Sequence, residues 1–200
     1  MNRGGLYNVN PMAIGDIFWN VSGFTASRLA EKAGDVPHPA DATSSWFTVM
    51  AITILGFLAY RLLIDSWLRT ENFVSGAAKV AFDDVLRWTT ILAVVQLLTG
   101  GTLYDPIWIS NTGLFVGSLV FYDLLAHNFV ENQTRHLEPN VALGIRDVVK
   151  YGFALSLNNF LARGSDAFDK NWLISTSGAL AGIAIYDIFL AKYLAEEIVG

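Results

Sequence analysis

The chain has 200 residues, of which 53% are hydrophobic and only 16% are charged, whereas soluble domains carry about 25% charged residues. A soluble protein of this size needs more charge to cover its surface, so we expect lipid to cover part of this one. The formal net charge of −5 argues against nucleic-acid binding, which needs a basic face. The chain has no cysteine, which excludes disulfides, thiolate metal sites and cysteine nucleophiles.

The sequence repeats one pattern three times. Residues suited to cap a helix precede an apolar helical pattern at three places 65 residues apart, which are Asn10, Ser75 and Asn140. Later in each unit a tryptophan begins an apolar run, and 14 residues on comes a tyrosine followed by a charge: Trp46 with Tyr60-Arg61, Trp108 with Tyr122-Asp123, and Trp172 with Tyr186-Asp187. Three matches at one spacing predict a triplicated unit. We expect one membrane domain over 1–200, with repeats over about 10–70, 75–132 and 139–199.

Each unit is predicted to form two helices joined by a turn. In chain order the predicted helices cover about 11–32, 44–69, 76–99, 107–130, 140–162 and 171–198. The sequence therefore predicts an all-α fold, a polytopic membrane helix bundle made of three tandem helix hairpins. Direct repeats of this kind can be arranged around a pseudo-threefold axis, which the sequence leaves open.

The second helix of each unit is predicted to cross a membrane. Residues 42–60, 106–122 and 171–186 are uncharged, and a bilayer core of about 30 Å needs about 20 mostly apolar residues. The tryptophans that begin these helices are predicted interface anchors: Trp46, Trp108 and Trp172. The tyrosines near their ends fit the same aromatic belt, and the charge after each tyrosine is expected near the far interface.

The first helix of each unit is harder to place. The helix over 11–32 combines Asn20 and Arg28 with an apolar stripe, and the helix over 140–162 carries Asn158 and Asn159, so either could lie in the interface as an amphipathic helix. If the three second helices point the same way, however, only the first helices can return the chain between units. We therefore favour six crossings over three, and the distribution of Lys and Arg then predicts both termini in the cytosol.

Two sets of polar residues occupy equivalent positions in the three units. The first set either meets in an ion-paired latch, because charges at membrane depth are costly unless paired, or points outward into headgroups: Arg61, Asp123 and Asp187. The second set either forms hydrogen bonds across helices or lines a pore: Arg28, Gln96 and Asn159.

Pairs of glycines spaced four residues apart predict close helix packing, within the chain or between chains. They are Gly113 with Gly117 and Gly178 with Gly182. We find no candidate catalytic, cofactor-binding or metal-binding residue, since the three histidines lack the spacing of a ligand set and no phosphate-loop motif is present. The sequence predicts a protein that is not an enzyme and needs no cofactor.

The segment from Leu97 to Trp108, LLTGGTLYDPIW, is followed by Gly117 and by FYDLL over 121–125. This pattern resembles a family of repeat-containing multi-pass membrane proteins of giant (nucleocytoplasmic large DNA) viruses that infect algae and protists. The resemblance covers most of 75–195, and the first unit departs from it at Arg61 and in its long loop. It implies a component of the internal virion membrane under the capsid, with other membrane or capsid proteins as partners.

Two classes of function stay open. One is a non-enzymatic structural membrane protein, as the resemblance implies. The other is a small-solute channel or carrier. Tandem two-helix units are similar to those of mitochondrial carriers, but the Pro-x-[Asp/Glu]-x-x-[Lys/Arg] motif of each carrier repeat is missing, and so are the paired Gly/Pro helix breaks of many transporters. We expect the lipid bilayer as the environment and no nucleic-acid partner, and we leave a homo-oligomer open.

Overall fold

A computed structural model describes residues 11–36, 42–65, 68 and 75–193, and no strand occurs within these ranges. The α-helices of the described ranges are α1 Pro11–Ala33, α2 Ala42–Ala59, α3 Ala77–Leu98, α4 Pro106–Leu125, α5 His127–Thr134, α6 Pro139–Arg163 and α7 Lys170–Ile185. π-helical segments continue α2 over Tyr60–Asp65 and α7 over Tyr186–Leu190. The all-α prediction is confirmed, and each long helix begins within two residues of its predicted start.

One predicted helix is wrong in its extent. The helix predicted over 107–130 ends as α4 at Leu125, and the chain bends at Ala126 into the short helix α5. The apolar run ends at Leu125, and the residues of α5 are largely polar. A helix of that composition is unsuited to continue an apolar span. Arg146 of α6 fixes α5 in place, since its Nε donates to the Thr134 hydroxyl at 2.7 Å and its Nη2 to the Glu131 carbonyl at 3.3 Å.

The predicted helix caps are wrong where the described residues include them. Helix α3 begins after Gly76, which has a φ of 62°, instead of being capped by Ser75. Helix α6 begins at Pro139, one residue before Asn140, because the fixed φ of proline suits the first helical position. The third predicted cap, Asn10, lies outside the described residues.

Two aspartates cap the second helices of units two and three instead. The Asp105 side chain accepts a hydrogen bond from the Ile107 N–H at 2.9 Å, and the Asp169 side chain accepts one from the Trp172 N–H at 2.8 Å. The backbone N–H of Trp172 holds the pKa of Asp169 below its usual range, because the bond favours the ionised carboxylate. Both caps lie in the loop segments that the two units share in sequence.

The six long helices form a closed ring. Each helix packs against the next in the order α1, α2, α3, α4, α6, α7, and α7 packs against α1. The contact that closes the ring runs along nearly the whole of both helices. A Cβ added to Gly15, near the start of α1, would lie 3.3 Å from the Tyr186 hydroxyl, and one added to Gly34 would meet the Ile174 side chain. Helices α1 and α7 are therefore antiparallel neighbours, although they stand at opposite ends of the chain.

Three helices in the described residues are long and apolar enough to cross a membrane: Trp46–Asp65, Pro106–Leu125 and Lys170–Tyr193. These are the second helices of the three units. Their outward faces carry large exposed apolar side chains, such as Leu55, Phe121 and Phe189. An exposed apolar surface of this kind is stable against lipid and unfavourable against water, so the fold is compatible with an integral membrane protein.

Candidate functional site

Charged side chains gather at one end of the helix ring, where α1, α3 and α6 begin and α2, α4 and α7 end. We call this group the charged layer: Asp16, Arg61, Asp65, Asp84, Arg87, Asp123, Asp147, Lys150 and Asp187. The two most buried members are Asp123, which is 0% exposed, and Asp187, which is 2% exposed. Buried charges destabilise a protein unless they are paired. The pattern of pairing therefore decides which members of the layer have a purely structural role.

Lys150 of α6 joins two helices through their carboxylates. Its ammonium lies 2.8 Å from an Asp123 oxygen of α4 and forms a second ion pair with Asp84 of α3. All three side chains are largely buried. In such surroundings an ion pair is screened little by solvent, and removing one partner leaves an uncompensated charge. This triad therefore ties α3, α4 and α6 together.

Arg61, in the π-helical segment after α2, forms the second buried group of ion pairs. Its guanidinium donates to both oxygens of Asp16 in α1, at 2.5 and 3.1 Å. It also donates to Asp65 at 3.0 Å, one helical turn further on. A two-pronged contact of this kind is among the stronger ion-pair geometries. The guanidinium is therefore compensated by two carboxylates and holds α1 against the end of α2.

Three members of the charged layer are not compensated in this way: Arg87, Asp187 and Asp147, which forms no ion pair within the described residues. Asp187 is 2% exposed, and its Oδ2 has no hydrogen-bond partner. The nearest carboxylate to Arg87 in an ion pair is that of Asp84, at 4.0 Å, while the Arg87 guanidinium lies over the Tyr60 ring at 5.6 Å. The Nε of Arg87 is buried without a hydrogen-bond partner.

The structure corrects both readings of the first polar set. Arg61, Asp123 and Asp187 do not point outward into headgroups, because all three side chains are buried or nearly so. They also form no common latch, since no ion pair among the described residues joins Arg61 to either aspartate. Arg61 and Asp123 pair instead with Asp16 and Lys150, on the neighbouring first helices α1 and α6, while Asp187 forms no ion pair within the described residues.

The tyrosines that precede these charges are buried as well. Tyr60 is 1% exposed, Tyr122 is 2% exposed and Tyr186 is 6% exposed. The interpretation of these tyrosines as interfacial anchors is therefore wrong. The three tryptophans at the other ends of the same helices are half-buried, as the interface prediction allows: Trp46, Trp108 and Trp172.

A cleft of about 440 Å³ opens within the charged layer. Five charged side chains line it: Asp16, Arg61, Arg87, Asp147 and Asp187. Four aromatic side chains complete most of its wall: Trp19, Phe57, Tyr151 and Tyr186. The cleft thus combines these three uncompensated charges with aromatic surface, in a volume suited to a small molecule.

A layer of aromatic rings closes the inner end of the cleft. Trp19 of α1 lies 5.0 Å from the Tyr151 ring of α6 and 6.3 Å from the Phe57 ring of α2. Trp88 of α3 lies 5.7 Å from both Phe57 and Tyr151, and 5.3 Å from Phe115 of α4. Tilted and edge-to-face contacts at these distances are favourable. We call these five rings, from five helices, the aromatic layer.

Beyond the aromatic layer lies a second, apolar cavity of about 370 Å³. All six helices of the ring contribute to its wall, and Trp19 and Tyr151 line both this inner cavity and the cleft. Its polar lining includes Asn20, which is 3% exposed and whose Oδ1 has no hydrogen-bond partner, and Thr53, which is 7% exposed. The inner cavity therefore lies among all six helices, and the cleft adjoins it on the side of the charged layer, with walls from every helix of the ring except α4.

The second polar set lies at the other end of the ring and forms local contacts. The Gln96 amide donates to the Thr102 carbonyl at 3.1 Å, and the Asn159 amide donates to the Ala167 carbonyl. Each bond closes the turn between the two helices of its own unit. Arg28 pairs with Glu31 at 3.4 Å on α1. The prediction that these residues bond across helices or line a pore is therefore wrong, because the turns, and for Arg28 its own helix, provide nearer partners.

The two glycine pairs have different surroundings. A Cβ added to Gly178 would lie 2.8 Å from the Ala26 carbonyl of α1, and one added to Gly182 would overlap the Ser22 carbonyl. This pair lies at a helix contact within the chain, where the close approach of two backbones requires glycine. A Cβ added to Gly113 or Gly117 would meet nothing within 4 Å. That pair has no helix contact within the chain, and a contact between chains stays a prediction.

The partners of the first polar set were missed at the sequence level, although a signal was present. Asp84 is followed by Arg87, and Asp147 by Lys150, so both α3 and α6 carry a carboxylate and a cation three residues apart. At the corresponding place α1 has Asp16 and Trp19. The spacing alone does not show that these side chains face the interior of the ring, so it does not identify them as partners of the first polar set. Among the described residues no group of His, Asp and Glu could hold a metal ion.

Comparison of the chain with protein-family models, with curated proteins and with solved structures finds no match. The geometry of the ring, the cleft and the inner cavity is therefore the basis for assigning a function.

Proposed function

We propose that this chain is an integral membrane protein of three tandem two-helix units, whose six long helices cross the bilayer and surround a pathway for a small solute. The observation that supports a pathway best is the pair of adjoining spaces within the ring. The walls of the cleft and the inner cavity share two aromatic side chains, Trp19 and Tyr151. Both termini are proposed to lie on the cytosolic side, where the cleft opens.

The cyclic order of contacts supports the three-unit arrangement. The second helix of each unit packs against the first helix of the next: α2 against α3, α4 against α6, and α7 back against α1. Three equivalent units arranged around an axis produce this closed order of contacts. Unrelated hairpins do not require their helices to pack in a closed cyclic order. Inside such a ring, polar side chains can line a space that lipid does not reach.

The charges of the cleft support transport over a purely structural role. Ionisable side chains inside a membrane protein are costly and usually serve a substrate path or a proton path. A structural ion pair explains Lys150 and Arg61, whose partners surround them. It does not explain Asp187, which is buried in the cleft wall with one oxygen unpartnered.

A structural protein of a viral inner membrane is the second candidate, in keeping with the resemblance over most of 75–195. The observation that favours it is the outward face of α4, where Gly113 and Gly117 leave open space beside exposed Phe121. A helix of a second chain, or of a neighbouring membrane or capsid protein, would pack closely on such a surface.

The absence of cysteine allows a direct test of the pathway. Thr53 and Ser118 are both buried hydroxyl side chains that donate to the carbonyl four residues back, each at 2.7 Å. Only Thr53 belongs to the wall of the inner cavity. In reconstituted vesicles we expect Thr53→Cys to react with a charged methanethiosulfonate reagent at least tenfold faster than Ser118→Cys.

The same vesicles test passage of solutes. Wild-type vesicles loaded with labelled small cations, anions and neutral solutes should release one class faster than protein-free vesicles do. Equal labelling of the two cysteine variants, together with no release of any class, would reject the pathway and leave the structural role as the better proposal.

A further inference from the structure

The cleft carries more carboxylate than cation. Three of its charged lining residues are aspartates and two are arginines. One of those arginines, Arg61, is already compensated by Asp16 and by Asp65, which lies outside the cleft wall. Two aspartates, Asp147 and Asp187, thus face one incompletely paired guanidinium. The excess of negative charge in the lining of the cleft therefore favours a positively charged occupant.

Among these charged residues, Asp187 is the one whose surroundings indicate a ligand. It is 2% exposed, its Oδ2 has no hydrogen-bond partner, and it forms part of the cleft wall. The equivalent residue of the second unit, Asp123, faces Lys150 of α6 instead. The reason for the difference is visible in α1. The position that corresponds to Lys150 is Trp19, so the unit that packs against α7 supplies an aromatic ring in place of an ammonium group.

The wall around Asp187 suits an organic cation better than a metal ion. Trp19, Phe57, Tyr151 and Tyr186 all line the same cleft, and the faces of aromatic rings attract ammonium groups that are poorly hydrated. A small metal ion would need several oxygen ligands at fixed distances. No group of three His, Asp or Glu residues in the described ranges provides them.

We propose that the cleft binds a small organic cation bearing a substituted ammonium group, with Asp187 as its counter-ion and the rings of Trp19, Phe57, Tyr151 and Tyr186 around it. This inference rests on the proposed pathway and names the class of solute that enters it. The bound ammonium replaces the basic side chain that α1 lacks at position 19. The cleft volume of about 440 Å³ leaves room for a cation with several alkyl substituents.

Choline and 3,3-dimethylbutan-1-ol form a suitable pair of probes, because they have nearly the same shape and only choline carries a charge. In calorimetric titrations of the full chain in detergent, we expect saturable choline binding and at least tenfold weaker binding of the neutral alcohol. Asp187→Asn should weaken choline binding at least tenfold. Asp105→Asn, a matched change in a loop outside the cleft, should leave it unchanged.

A second variant tests the role of position 19. Trp19→Lys places an ammonium group where α3 and α6 carry their cations, so it should occupy Asp187 and abolish choline binding. Melting curves serve as the folding control, and Asp187→Asn should melt no lower than the wild type because its carboxylate loses no partner. Equal binding of the two probes, or choline binding that survives either cleft variant in folded protein, would overturn the inference.

The outcomes also separate this inference from the proposed pathway. If choline does not bind while Thr53→Cys is labelled and another class of solute is released, the pathway stands and the organic-cation inference fails. If choline binds as expected but neither labelling nor release occurs, the binding site stands and the pathway fails.

Discussion

The ion-pair partners of Arg61 and Asp123 across helix contacts lie on the first helices of the units, and not at the equivalent repeat positions. Arg61 faces Asp16 across the contact between α1 and α2, and Asp123 faces Lys150 across the contact between α4 and α6. Spacing along the sequence identifies residues at the same height in the ring, but it does not say which neighbour each one reaches. That choice depends on the direction of each side chain and on the charges of the adjoining first helices.

A charge exchange tests the Arg61 assignment. Arg61→Asp should destabilise the protein, because it places a third carboxylate beside Asp16 and Asp65. Adding Asp16→Arg should recover much of the loss by re-forming the pair in reverse, whereas adding Asp123→Arg should not. Breaking a buried pair costs about 3–5 kcal/mol, so melting in detergent can resolve the difference. Recovery with Asp123→Arg alone would instead restore the three-residue latch that the sequence left open.

At the scale of the helices, the sequence predicted most of the fold. Uncharged runs of 16 to 19 residues and regular tryptophan positions located the second helices, because hydropathy alone determines where an apolar span begins. The caps of α3 and α6 were missed, since a glycine and a proline set those helix starts. The cleft was not predictable, because burial of Asp187 and its lack of a partner follow only from the packing of α7 against α1 and α6.

The glycine contacts give a test at the same scale. Gly182→Ala should destabilise the protein, because the added methyl group would overlap the Ser22 carbonyl of α1, and overpacking of this kind costs about 1–3 kcal/mol. Gly117→Ala is the matched control on α4, where the added group meets nothing within 4 Å. There alanine should be neutral or stabilise the helix by up to about 1 kcal/mol. Melting of the two variants in detergent should therefore shift in opposite directions or by clearly different amounts. Equal shifts would mean that α1 and α7 do not pack closely at Gly182.

At the scale of the whole molecule, the proposed six crossings require the first helices to span the membrane without the composition of a span. Their charges and amides, such as Asp16, Asn20 and Lys150, face the interior of the ring or its ends. A hydropathy average counts those side chains as if lipid surrounded them. The second helices carry the apolar outer surface, so only they have the composition of a span. A helix that lines a polar space can cross the bilayer with a composition that would be unfavourable against lipid.

The antiparallel contact between α1 and α7 leads to a prediction about topology. Its contacts extend from Gly15 beside Tyr186 to Gly34 beside Ile174, and this length of α1 measures about 28 Å at 1.5 Å per residue. A bilayer core is about 30 Å thick. If α7 crosses the membrane, α1 must therefore cross beside it in the opposite direction, and the same reasoning applies to α3 and α6 in the closed ring.

Six crossings place the two ends of the chain on one side of the membrane, whereas three crossings by the second helices alone place them on opposite sides. We therefore expect tags fused before residue 2 and after residue 200 to show the same protease accessibility in sealed vesicles. A third tag inserted in the turn at Gly100, between α3 and α4, should show the opposite accessibility and controls for leaky vesicles. Terminal tags that report opposite faces would contradict the six-helix ring as a membrane-spanning unit. The first helices would then have to lie in the interface, and the cleft could not open into a pathway across the bilayer.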